Sequence, residues 1–120
     1  MNPIERCAYL AVNARAKPGD TLTLYVARGF DTHQREYTAD QHQLWRATHK
    51  PSGLPWPNVL SGSDLARLGK GWALPGGFHV TKRGALEAEA FRMRKRAESL
   101  ERQLSDARAF LTEYEGGRRE

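Results

Sequence analysis

Apolar residues recur at alternating spacings of four and three along the end of the chain: Leu86, Ala90, Met93, Ala97, Leu100, Leu104, Ala107, Leu111 and Tyr114. A period of 3.5 held for about four heptads keeps one seam of a helix turned toward a partner, whereas a helix lying on its own domain shows a broader stripe of period 3.6. The pattern predicts a long coiled-coil-type helix over residues 82–115, with 116–120 as a flexible tail. With Ala90, Ala97, Leu104 and Leu111 at position a and Leu86, Met93, Leu100, Ala107 and Tyr114 at position d, Glu89 and Arg96 fall at g and Arg94 and Glu101 at e. In a parallel in-register homodimer each g residue meets the e residue five positions later on the other chain. Glu89 then faces Arg94 and Arg96 faces Glu101, two attractive inter-chain ion pairs, while Gln103 against Arg108 is neutral. Exposed pairs of this kind contribute only about 0.2–1 kcal/mol each, so they select orientation more than they stabilise.

Three seam positions are alanine, which buries less apolar area than leucine at roughly 25 cal/mol per Å². The seam is therefore a weak one. Three occupants remain open: a second copy in parallel or antiparallel pairing, a helix of another protein, or the chain's own body with Phe91 and Phe110 widening the stripe. Length argues against the last, and a homodimer through this helix is the expected arrangement. A helix of roughly 30 residues spans about 45 Å, more than a body of about 80 residues covers.

Those remaining residues, 1–81, are expected to form a small α+β body of short helices with a small antiparallel sheet or hairpins. Hydrophobic residues are 39% and charged residues 28% of the 120, which argues against a wholly disordered or fibrous chain. Asn2 can cap a helix that has Pro3 in its first turn and Glu5 three residues after the cap, and Ile4, Cys7, Ala8, Ala11 and Val12 give it an apolar face up to Lys17-Pro18-Gly19. Residues 21–28 alternate, with Leu22, Leu24 and Val26 on one face of a half-buried strand, and His33–Thr38 reads as a polar edge strand. Thr38 with Gln41 has capping-box spacing ahead of Leu44 and Trp45, predicting a short helix over about 39–48. Pro51, Pro55 and Pro57 make 49–60 a loop. Ser61 and Asp64 are spaced to cap a third short helix through Leu65 and Leu68, closed by Gly69 and Gly71. Pro75-Gly76-Gly77 is the turn of a small hairpin over 72–81, and Thr81 can cap the long helix.

Net charge is +5 and the pI about 9.7, which favours an anionic partner, nucleic acid or an acidic protein face, unless the charge serves solubility alone. The single cysteine, Cys7, lies in an apolar run as a structural thiol and fits a reducing compartment. No run approaches the roughly 20 apolar residues of a membrane span and no signal peptide opens the chain, so a cytoplasmic protein without membrane partners is expected. His33, His42, His49 and His79 are scattered without metal-ligand spacing, and phosphate-binding loops and nucleophile elbows are absent. Gly69-Lys70-Gly71 reads as a helix stop. Neither enzymatic activity nor a cofactor is expected.

The stretch Trp72-Ala73-Leu74-Pro75-Gly76-Gly77-Phe78-His79-Val80-Thr81-Lys82-Arg83-Gly84-Ala85-Leu86-Glu87 resembles the wing hairpin and following helix start of winged-helix regulators of the PadR-like and MarR-like kind. That resemblance implies a dimeric DNA-binding protein, with Ser63, Arg67 and Lys70 on or just after a recognition helix and Lys82 and Arg83 beside the wing near phosphates. Taken alone, Arg67 and Lys70 also read as a solvated helix end stabilised by its dipole. The sequence departs from the pattern at 49–60, where a proline-rich segment separates helices that a helix-turn-helix joins in three or four residues. The alternative is a protein-binding adaptor or inhibitor acting on a host or partner protein. In its single-domain, motif-poor character the chain is similar to accessory proteins of phages and other mobile elements. Trp45, Trp56 and Trp72 bracket the proline segment; Trp56, between Pro55 and Pro57, is the expected protein contact, and the other two are expected to pack inside.

Overall fold

In a computed structural model that describes residues 1–13, 16–42, 44–48 and 53–118, the chain is an α+β protein with a four-stranded antiparallel sheet and three helices. Helix α1 (Pro3–Asn13) starts where Asn2 and Glu5 exchange hydrogen bonds, the Glu5 amide donating to Asn2 Oδ1 at 2.8 Å. Strands β1 (Thr21–Arg28), β2 (Asp31–Ala39), β3 (Trp45–Ala47) and β4 (Val59–Leu60) follow as a meander in the order β1-β2-β3-β4. Helix α2 (Gly62–Gly69) carries the expected capping box, with Ser61 Oγ accepting the Asp64 amide and Asp64 accepting the Ser61 amide. Helix α3 (Lys82–Arg118) starts at Thr81, whose Oγ1 accepts the Gly84 amide at 3.0 Å. It runs through Gly116 and Gly117, which were expected in a tail; Arg119 and Glu120 lie outside the described residues. Contacts divide the chain into a body, Met1–Glu89, and the remainder of α3 from Ala90 on. The body thus ends two helical turns later than residue 81, because Ala85 and Glu89 are buried in it.

The alternation of β1 puts Leu22, Leu24 and Val26 into one core with Cys7 and Leu10 of α1, Leu65 and Leu68 of α2, and Tyr37, Trp45 and Leu60. Val12, expected on the inner face of α1, is exposed. Helices α1 and α2 meet at Gly69: a Cβ there would stand 2.5 Å from Ala8 Cα and 2.7 Å from its nitrogen. Only a residue without a side chain lets the two backbones approach so closely.

Four expectations are corrected. The helix over 39–48 does not form; Asp40 Oδ1 accepts the amides of His42 (2.8 Å) and Leu44 (3.0 Å) while Oδ2 pairs with Arg46 Nε at 3.1 Å. That side chain closes a tight turn, and the chain returns as β3 with Trp45 opposite Ala39 and Leu60. The Leu44 amide, helped by Arg46 and the His42 amide, holds the Asp40 carboxyl below its ordinary range. Second, β2 is not an edge along its whole length, because β3 pairs with Tyr37–Ala39 on its far side. Third, the loop over 49–60 ends in β4; His49 and Pro51 lie outside the described residues. Fourth, the hairpin over 72–81 is reduced to one bridge, Leu74 with Phe78, because the outgoing limb instead joins β1 through the bridge between His79 and Tyr25. A strand thus stands in place of the middle helix, and along the sequence all four strands separate α1 from α2.

Two buried acids give the body an alkaline limit. Burial pushes the Cys7 thiol from 9.0 to about 11 against the pull of Arg6, and the Tyr37 hydroxyl from 10.0 to about 12 against the pull of Arg35. Both groups are raised relative to the unfolded chain, so their neutral burial stabilises fully below the unfolded values and is lost as pH rises through the folded ones. The urea midpoint should hold up to about pH 9 and fall between about 9 and 12. Tyr37→Phe, which also gives up the hydrogen bond from Tyr37 Oη to the Pro57 carbonyl, should start lower and fall less steeply.

Candidate functional site

Helix α2 ends at Lys70 with Gly71 in the left-handed region (φ +82°), which turns the chain outward at Trp72. The turn is fixed on several sides. Trp72 N–H donates to the Arg67 carbonyl (3.1 Å), and Arg67 Nε donates to the Ala73 carbonyl (3.1 Å). Buried His79 faces the Gly71 carbonyl through Nε2 (3.2 Å), while its Nδ1 lies 3.0 Å from both the Thr81 amide and Thr81 Oγ1. Since the amide can only donate, Nδ1 is an acceptor, and the tautomer protonated at Nε2 satisfies both ends of the ring. Gly84 leaves room for that ring; a Cβ there would stand 2.3 Å from His79 Nδ1. One histidine therefore joins the end of α2 to the start of α3. No short-range spacing in the sequence pointed to it.

This junction gathers several of the expected nucleic-acid contacts. Arg67 and Lys70 are exposed at the end of α2, and Arg83 lines a small cavity with Gly71, His79 and Thr81. Lys82 is exposed beside Arg83, and Ser63 is exposed in the first turn of α2, away from the turn at its end. Arg83 Nε pairs with Glu87 Oε1 at 3.0 Å, an exposed pair of small energetic weight. Lys70 Nζ lies 5.1 Å from the centroid of the Trp72 ring.

Two of the tryptophans exchange their expected roles. Trp56, the expected protein contact, is 7% exposed and stacks at a tilt on Phe78 with ring centroids 5.1 Å apart, whereas Trp72 is 58% exposed. Proline neighbours pointed to an accessible loop, but Trp56 itself turns inward, with its amide bonded to the Leu54 carbonyl at 2.8 Å. Phe30, at the turn between β1 and β2, is fully exposed and was not singled out by its sequence context.

On α3 the seam residues Leu86, Ala90, Met93, Ala97, Leu100, Leu104, Ala107, Leu111 and Tyr114 are all exposed, as are Phe91 and Phe110. The side of α3 turned into the body carries Ala85 and Glu89, with Ala88 beside Gly77, and so differs from the seam. One expected ion pair is withdrawn. Glu89 is 4% exposed, accepts the Gly29 amide at 3.2 Å and stands 4.0 Å from Arg28, so it is committed to its own chain and not to Arg94 of another. Its partner lies 60 residues away in sequence, beyond the reach of any heptad argument. Arg94, Arg96 and Glu101 are exposed; Arg94 at e and Arg96 at g flank the seam, and with Arg92 at c and Lys95 at f on the outer side these cations make a basic stretch over 92–96.

Among the described residues no three His, Cys, Asp or Glu side chains come together as a metal site, and no helix is long and apolar enough to cross a membrane. The chain matches no protein family, no curated protein and no solved structure.

Proposed function

We propose that this chain is a non-enzymatic regulatory protein that dimerises through the α3 seam and binds nucleic acid. The observation that carries the reading is the apolar seam, exposed from Leu86 to Tyr114 on a side of α3 other than the one that holds Ala85 and Glu89 in the body. Contiguous apolar surface of this kind marks an interaction site. A second copy is the occupant favoured by charge, since Arg96 at g and Glu101 at e attract in a parallel pair.

The same register supports an anionic partner. With Glu89 held by Gly29 and Arg28, Arg94 faces no acidic g residue, and a dimer carries two copies of the basic stretch 92–96, of which Arg94 and Arg96 flank its axis. The cations at the α2 to α3 junction add to that field. The test is a salt titration with labelled oligonucleotides. Affinity should fall as salt rises, and replacing Lys82 and Arg83 together by alanine should lessen the slope of log affinity against log salt by about one per lost phosphate contact. Affinity indifferent to salt, or undetectable at low salt, would remove nucleic acid from the reading. Phe30 favours a second reading: an exposed aromatic on a turn pinned by Glu89 is the kind of anchor a protein target uses.

A further inference from the structure

Trp72 presents a large apolar ring on a loop whose backbone has already lost its freedom. The Gly71 carbonyl, the Trp72 amide and the Ala73 carbonyl are each engaged by His79 or Arg67. A ring held ready in this way gives up little conformational entropy on binding. Its surroundings are cationic: Lys70 sits 5.1 Å from the ring centroid, Arg67 braces the loop from α2, and Arg83 shares a small cavity with Gly71. The acidic group in that cavity, Glu87, is paired with Arg83.

We propose that Trp72 is a stacking platform for an unpaired base of a single-stranded nucleic acid, with Lys70 placed for a neighbouring phosphate. An exposed aromatic ring with a cation beside it matches a strand in which flat bases alternate with anionic phosphates. A duplex keeps the faces of its bases inside the stack, so this platform selects single strands, loops or bulges. The inference rests on the nucleic-acid reading above and narrows it to unpaired bases.

Trp45 and Trp56 are buried, so a change in indole emission on adding a strand reports Trp72. A thymidylate strand of about 20 nucleotides, long enough for a site of this size, should quench the emission of the full chain at low salt more than a duplex of equal length. Trp72→Ala should weaken binding of the labelled strand about tenfold by anisotropy, and Trp72→Phe, which keeps a ring, should recover most of the affinity. Binding of the strand with unchanged emission, equal binding by Trp72→Ala, or equal quenching by duplex would each overturn the stacking role and leave the nucleic-acid reading standing. No binding of strand or duplex would overturn both.

Discussion

Leu100→Asp is expected to convert a dimer into a monomer in light scattering, with Kd raised by a factor of about one thousand or more. Leu100 is a d residue in the middle of the seam, between Ala97 and Leu104, and more than half of its surface is exposed in the single chain. Burying a leucine contributes about 1.5–3 kcal/mol, and a symmetric dimer loses two of them. The substitution also sets two carboxylates opposite each other in an apolar seam, where the charged form is strongly disfavoured. A combined loss of about 4 kcal/mol corresponds to a thousandfold change in Kd. The alanines leave little reserve against it. Because position 100 lies beyond the body, Met1–Glu89, the urea midpoint of the body should not move. A wild-type chain that stays monomeric at every concentration, or a Leu100→Asp variant that still dimerises, would refute self-association.

Gly69→Ala acts on the body instead and should lower its stability by about 2–3 kcal/mol, or roughly 10–20 °C in Tm for a domain of this size. Two effects oppose each other. Alanine favours a helix over glycine by about 1 kcal/mol, but the new methyl would lie 2.5 Å from the Cα of Ala8 and 2.7 Å from its nitrogen. Backbone cannot swing aside as a flexible side chain can, so α1 must move off α2 and loosen the contacts of Cys7, Leu10, Leu65 and Leu68. Gly62→Ala provides the comparison: its Cβ would meet nothing within 4 Å, and the variant should be as stable as wild type or slightly more so. Equal melting of the two variants would show that the crossing of α1 and α2 yields more readily than close-packed backbones should.

Features that depend on neighbouring residues were readable from the sequence. The capping boxes at Asn2 and Ser61, the alternation of Leu22, Leu24 and Val26, and the heptad of α3 each specify their element from within. The failures share a cause. Thr38 and Gln41 have the spacing of a cap, but Asp40 offers its carboxylate to the His42 and Leu44 amides, and β2 and Leu60 give Trp45 a sheet position. Trp56 looked accessible because of its prolines, and Glu89 looked available because of its heptad position; contacts with Phe78 and Gly29 decide otherwise. The candidate site was legible as a charge pattern in Arg67, Lys70, Lys82 and Arg83. Its aromatic centre was not, because Trp72 sits on a turn held by Gly71 and by the distant side chain of His79.

The burial of Glu89 divides α3 into parts with different rules of change. Up to that residue the helix is bound by the fold, since Gly84, Ala85 and Glu89 answer to His79, the core and Gly29. From Ala90 to Gly117 the side chains are exposed, and the sequence there keeps the seven-residue rhythm. Whole heptads inserted or removed there lengthen or shorten the helix in steps of about 10.5 Å and preserve the seam without disturbing the body. The junction at Glu89 is thus a natural graduation mark, past which helix length can change while the packing of the body stays as it is.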